Sequence, residues 1–264
     1  ADDAVAITIS HLGYIKRTNL SEYKSQKRGG RGSQGSKTRD ADFIEHMFVA
    51  SNHNYLLLFT EQGRCFWLRV YEIPEASKVA AGRVIQNIIN LPQDDRVKAY
   101  IPIQDLNDEE FIKNNYIMFC TRQGTIKKTL VQDFSRPRSN GINAITIHEG
   151  DMLLEARLTN GNNEIIIANR KGRAIRFNES KVRSMGRNAA GVRGMTLVGP
   201  NDGVVGMVCV DPNDMLVTIF VVSEGGNGKR TALEDYRVTN RGGKGVKTMK
   251  ITEKTGDLIA IKDV

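Results

Sequence analysis

Apolar residues along the chain fall in short runs rich in β-branched and aromatic side chains. Each run is closed by a polar turn with one glycine and followed by a shorter basic run, at 5–17, 55–69, 116–128, 165–177 and 216–231. The turn glycines read as Gly13, Gly63, Gly124, Gly172 and Gly228, spaced by 50, 61, 48 and 56 residues. A second glycine (Gly32, Gly82, Gly141, Gly191, Gly245) follows each of them by 19, 19, 17, 19 and 17 residues. After it come another short apolar strand, a charged turn and a last strand, as at 84–90, 91–96 and 97–103. No apolar period of 3.6 residues is sustained; 20–24, 75–78 and 234–236 read as short turns of helix. The acid clusters Asp94-Asp95 and Asp108-Glu109-Glu110 read as solvated turns.

Two glycine registers in step identify internal repeats, at about 4–53, 54–114, 115–163, 164–213 and 214–264. A unit of roughly fifty residues and four strands cannot bury both faces of its sheet alone, so such units become blades around an axis. The predicted fold class is all-β, a propeller-like disc of four-stranded blades forming a single domain. The marks of common propellers are missing, for there is no Trp-Asp pair and Trp67 is the single tryptophan.

The 264 residues carry a net charge of +8 and a pI near 9.4, so an electropositive surface is expected to meet a polyanion. No apolar run approaches the length of a membrane span and the start is acidic, which reads as a cytoplasmic, nucleoid-associated protein with no membrane partner. The first residue is not Met, so the sequence reads as a fragment. Cys65, Cys120 and Cys209 lie in apolar runs without C-x-x-C spacing and are expected as buried thiols.

The charge is concentrated. Between residues 15 and 40 eight Lys or Arg stand against two acids, a local +6, around Gln26-Lys27-Arg28-Gly29-Gly30-Arg31-Gly32. Glycines without side chains let backbone amides and flanking cations converge on phosphates. Cations also follow each turn glycine: Lys16 and Arg17, Arg64 and Arg69, Lys127 and Lys128, Arg173 and Arg176, Lys229 and Arg230. In radially equivalent blades these residues would form a basic track along the rim, around which a duplex bends. If about ten of them met phosphates, log K would fall with log salt by a slope of up to about −9. Few aromatics lie nearby, which argues against a platform for stacking single-stranded bases. Two bland readings stand beside these: solvated strand faces for the scattered cations, and an RGG-type RNA-binding segment for the heptapeptide. Such segments come in runs with Phe or Tyr, whereas this motif reads as occurring once inside a repeat.

No catalytic constellation is visible. His11, His46, His53 and His148 have no metal-ligand spacing, and Gly228-Lys229 lacks the glycine and hydroxyl positions of an ATP-binding loop. No Tyr is preceded by Arg.

The heptapeptide resembles the box motif Q-R-R-G-G-R/K-G that marks the C-terminal domain of the A subunit of bacterial DNA gyrase, departing only at Lys27. The flanks 10–17 and 42–44, and the later stretches 73–77, 191–194 and 228–231, recur in that family's order, so the resemblance covers essentially the whole chain. It implies a β-pinwheel whose blades exchange strands, usually six, where five are visible here; a sixth is absent from this version or lies outside the sequence. It further implies chiral wrapping of double-stranded DNA fastened by residues 26–32, and a place in an A2B2 gyrase holoenzyme with the core of the A subunit and with the B subunit. The whole enzyme would be an ATP-hydrolysing type II topoisomerase that supercoils negatively. This domain would be monomeric in isolation and hold no cofactor, with ATP and Mg bound elsewhere. The alternatives are the corresponding domain of topoisomerase IV, whose box is degenerate or missing, and a propeller-like protein-interaction module.

Overall fold

The computed structural model describes residues 4–24 and 42–264. The heptapeptide Gln26–Gly32 lies outside the described residues. In chain order the strands are β1 (Ala4–Ser10), β2 (Tyr14–Asn19), β3 (Ile44–Ser51), β4 (Tyr55–Thr60), β5 (Arg64–Arg69), β6 (Arg83–Val84), β7 (Val97–Ile103), β8 (Tyr116–Thr121), β9 (Thr125–Leu130) and β10 (Ile142–Asn143). They continue as β11 (Leu153–Thr159), β12 (Glu164–Asn169), β13 (Arg173–Asn178), β14 (Val192–Arg193), β15 (Val204–Val210), β16 (Thr218–Ser223), β17 (Gly228–Ala232), β18 (Val246–Lys247) and β19 (Leu258–Asp263). The expected all-β class is what the chain adopts.

The strands form sheets in the orders β3-β1-β2-β6, β10-β5-β4-β7, β11-β8-β9-β14, β15-β12-β13-β18 and β17-β16-β19. Each of the first four sheets takes three strands from one repeat and a two-residue strand from the next. This is the strand exchange that the resemblance implied. Among the described residues the fifth sheet has three strands and receives none from another repeat. Among the described residues the outer side of β17 is an open edge, with Gly228, Lys229 and Arg230 exposed.

Two compact units partition the chain, one of residues 1–58, 65–106 and 137–142, the other of 59–64, 107–136 and 143–264. In the first, Val5, Ile7 and Ile9 of β1 pack with Leu56 and Leu58 of β4 and with Phe66 and Leu68 of β5. In the second, one core gathers Met118, Ile126, Ile165, Ile167 and Phe177, and another gathers Ile166, Val208, Ile219, Val221 and Ile261. Phe59 meets Phe119 and Phe134 edge to face at 5.1 and 5.3 Å. First strands such as β12 are buried along their whole length, so they read as unbroken apolar runs rather than alternating ones.

Helix is sparse, as expected, but differently placed. The turn at 20–24 is helix α1 (Leu20–Lys24), 75–78 is not helical, and a 3-10 turn covers Leu233–Asp235. The acids at 108–110 do not form a solvated turn but begin helix α2 (Glu109–Asn114). The Asp108 carboxylate caps it by accepting from the Phe111 amide at 3.2 Å, and Glu109 pairs with Lys113 at 2.8 Å. Six residues are too few to reveal a 3.6-residue period. Cys65 and Cys120 are buried as expected, while Cys209 is half-buried; all three are free thiols.

Candidate nucleic-acid interface

The second strands of the first and third repeats, β2 and β9, send cations inward at three of the expected positions. Lys16 is buried, and its ammonium donates to the carbonyls of Ser77, Lys78 and Ala80 at 2.9, 2.6 and 2.8 Å. Lys127, also buried, donates to Ala144 and Arg187 carbonyls at 2.6 and 2.9 Å. Burial lowers both ammonium groups to about 8, partly offset by Glu22 and Asp133 respectively. Lys128 is buried 3.4 Å from the Glu179 carboxylate, with its ammonium 4.4 Å from the centre of the Tyr116 ring. The expected exposed track therefore fails at Lys16, Lys127 and Lys128. Successive residues of a strand face opposite sides of the sheet, and here both sides are covered.

The remaining expected cations divide. Arg17 donates to the Ile73 carbonyl at 2.7 Å, and Arg176 to the Leu233 and Tyr236 carbonyls at 2.9 and 3.1 Å. Each thus clasps the 3-10 turn of the following repeat from its own sheet. Arg173 holds the Gly245 carbonyl at 3.0 Å and Arg64 the Asn143 side chain at 3.2 Å, while Arg69 lies 3.9 Å over the Tyr55 ring. These five are half-buried. Lys229 and Arg230 are exposed, on the open edge of the fifth sheet. The turn before them is also one step off the expectation. Gly226, at φ +82°, is its left-handed residue rather than Gly228, which restores the 19-residue interval to Gly245.

The surface cations that sequence reasoning missed sit on the loops that donate strands. Each donated strand follows the second glycine of its repeat. At Gly191 (φ +101°) and Gly245 (φ +76°) a Cβ would stand 2.4 Å from the Ile126 carbonyl oxygen and 2.3 Å from that of Ala174, so the loop lies flat on the receiving strand only as glycine. Counting from that glycine would have found the cations. Four residues before it stand Lys78, Arg187 and Arg241, and two residues after it Arg193 and Lys247. Arg187 holds the Asn143 carbonyl at 3.3 Å and Arg241 the Lys181 and Arg193 carbonyls at 3.0 Å each, while Lys78 is buried. Arg193 and Lys247 are exposed, as are Arg83, Arg136, Arg138 and Lys244 on the same class of loop. Beside Arg193 runs an open groove of about 730 Å³ whose lining includes Arg122, His148 and Asp202.

The same register corrects the reading that the glycine-rich motif occurs once. Arg241-Gly242-Gly243-Lys244-Gly245 repeats the last five positions of the heptapeptide, Lys for Arg at one, and in both the closing glycine is the second glycine of its repeat. No group of three or more His, Cys, Asp or Glu that could hold a metal is present among the described residues, and no described helix is long and apolar enough to cross a membrane.

The DNA gyrase C-terminal domain (beta-propeller) family model matches five times, over 6–51, 54–104, 115–160, 163–211 and 218–264, one match for each repeat. The chain belongs to this family. Its strand-donating sheets are the blades of that propeller. The A subunit of DNA gyrase from Staphylococcus epidermidis is 43% identical over all 264 residues, and the chain spans 29% of that relative's length. A solved C-terminal domain of DNA topoisomerase IV superposes with a TM-score of 0.80 at 28% identity, covering all of this chain and 78% of the other. A solved DNA gyrase A C-terminal domain gives 0.77 at 26% identity, covering 99% of this chain and 83% of the other.

Proposed function

We propose that the chain binds duplex DNA and wraps it chirally as the C-terminal domain of a gyrase A subunit. The observation that carries this reading is the set of exposed cations Arg193, Lys244 and Lys247 on successive strand-donating loops of one unit. Cations presented on backbone-rigid loops neutralise phosphates and release counterions without reading base sequence. Bending is then recovered through the added contacts, as in other wrapped complexes. Residues 26–32 fasten the wrap. Cleavage, ATP hydrolysis and Mg binding belong to the core of the A subunit and to the B subunit, outside this chain, in an A2B2 enzyme of the nucleoid. This piece supplies direction to negative supercoiling and needs no cofactor of its own.

The topoisomerase IV reading has its own support in the 0.80 superposition. The intact R-G-G-R-G core at Arg28–Gly32 favours gyrase. Ligation of nicked plasmid with the chain bound, followed by its removal, separates the two. A shift to positive linking number that is lost when Lys27, Arg28 and Arg31 are changed to Ala supports wrapping. Tight binding with no shift means a basic surface that only tethers. A protein-interaction module would bind long duplexes no better than short ones.

A further inference from the structure

We propose that Arg241–Lys247 is a second phosphate-holding loop, taking the sugar-phosphate backbone of duplex DNA in the fifth repeat as Gln26–Gly32 does in the first. The inference rests on the wrapping function and adds a second point of attachment to it.

The loop is built to keep its shape without covering its outer side. Arg241, which its place in the repeated motif would assign to DNA, is turned inward: its guanidinium joins the carbonyls of Lys181 and Arg193. The Gly242 amide donates to the Gly194 carbonyl at 2.8 Å, and Thr196 ties down the carbonyls of Gly242 and Gly243 at 2.6 and 2.9 Å. Arg173 holds the Gly245 carbonyl. These bonds draw the carbonyl oxygens, which would repel a phosphate, toward protein donors.

What is left outward is amide and ammonium. Among the described residues, the amides of Gly243 and Lys244 find no acceptor. No side chain crowds them, since a Cβ at Gly243 would meet only Ile175, at 3.7 Å, and the left-handed Gly242 (φ +95°) turns the backbone just before them. Consecutive amides next to a left-handed residue form a concave anion site. Lys244 and Lys247 stand exposed on the loop, and Arg193 is exposed on the neighbouring donated strand, whose carbonyl Arg241 grips. Polar amides with three cations, beside a Tyr236 ring that is itself buried, suit a phosphodiester rather than a base.

The test is salt-dependent binding of this chain to a long duplex, together with the plasmid ligation assay, for the Lys244→Ala/Lys247→Ala double variant. Lys113→Ala/Lys254→Ala, on α2 and on the turn at 253–255, is the charge-matched control. Losing two phosphate contacts should reduce the slope of log K against log salt by about 1.8 and shrink the linking-number shift per bound molecule, with the control near wild type. Equal behaviour of the two double variants overturns the loop, as does a slope and shift unchanged from wild type. Gly243→Val, which adds a side chain over the amides and removes no charge, should weaken binding too; unchanged binding places the phosphate elsewhere. Absence of DNA binding by the wild-type chain would overturn the wrapping function itself, a separate failure.

Discussion

The ammonium of Lys127 lies 2.6 Å from the carbonyl oxygen of Ala144, the first residue after the donated strand β10. A lysine that looks like a DNA contact in the sequence thus serves as an internal donor to backbone. Its counterpart Lys16 does the same for three carbonyls of the 77–80 turn. Buried carbonyls without donors are costly, so the lysine side chain substitutes for a hydrogen-bonding strand in a place where the loop has none.

Lys127→Met should therefore act on stability. Leaving two acceptors buried without a partner costs about 2–3 kcal/mol. Urea unfolding should show a lower midpoint, while DNA affinity of the folded variant keeps its salt dependence. A midpoint equal to wild type would remove the structural role.

The same two lysines give a pH signature. Both are lowered from 10.5 to about 8 in the folded chain, so between these values the unfolded chain holds protons that the folded chain has released. Stability from these sites then rises with pH across about 8 to 10.5 and is flat below that window. The difference in unfolding free energy between wild type and Lys127→Met should widen in favour of wild type as pH rises. Parallel curves would contradict the burial of the ammonium.

Gly191 and Gly186 make a paired test within one loop. Gly191→Ala sets a Cβ 2.4 Å from the Ile126 carbonyl at φ +101°, whereas a Cβ at Gly186 meets nothing within 4 Å. The first should cost about 1–3 kcal/mol and weaken amide protection of β14 against β9; the second should stay within about 0.5 kcal/mol. Thermal melts with hydrogen exchange read both.

Lys229→Ala/Arg230→Ala removes two exposed cations from the open edge of β17. Fold stability should hold within about 0.5 kcal/mol, and the salt slope of duplex binding should fall by about 1.8. Arg176→Ala, at the position matching Arg230, should instead lower stability, because it leaves the Leu233 and Tyr236 carbonyls without their donor. Circular-dichroism melts beside a salt titration distinguish the two outcomes.

The sequence by itself determined the repeats, the all-β class and the family. Recurring glycines mark places where the backbone must take positive φ or lie against another strand, and that requirement is local. It also determined where charge gathers, but not which way charge points. Lys127 and Lys229 both follow a glycine turn in an apolar repeat, and one is buried while the other is exposed. Only the tertiary structure decided this, because burial of a second strand depends on whether a later repeat donates a strand and a loop across it. For β9 that loop arrives as residues 186–193; for β17 no described residue supplies one. Gly225, Gly226 and Gly228 are likewise equivalent as letters, and φ alone singles out Gly226 as the left-handed residue of the turn. The exposed cations of the donated loops were present in the sequence at a fixed offset from the second glycine. Their meaning required knowing that this glycine lies flat on the neighbouring blade, which leaves the residues beside it at the surface.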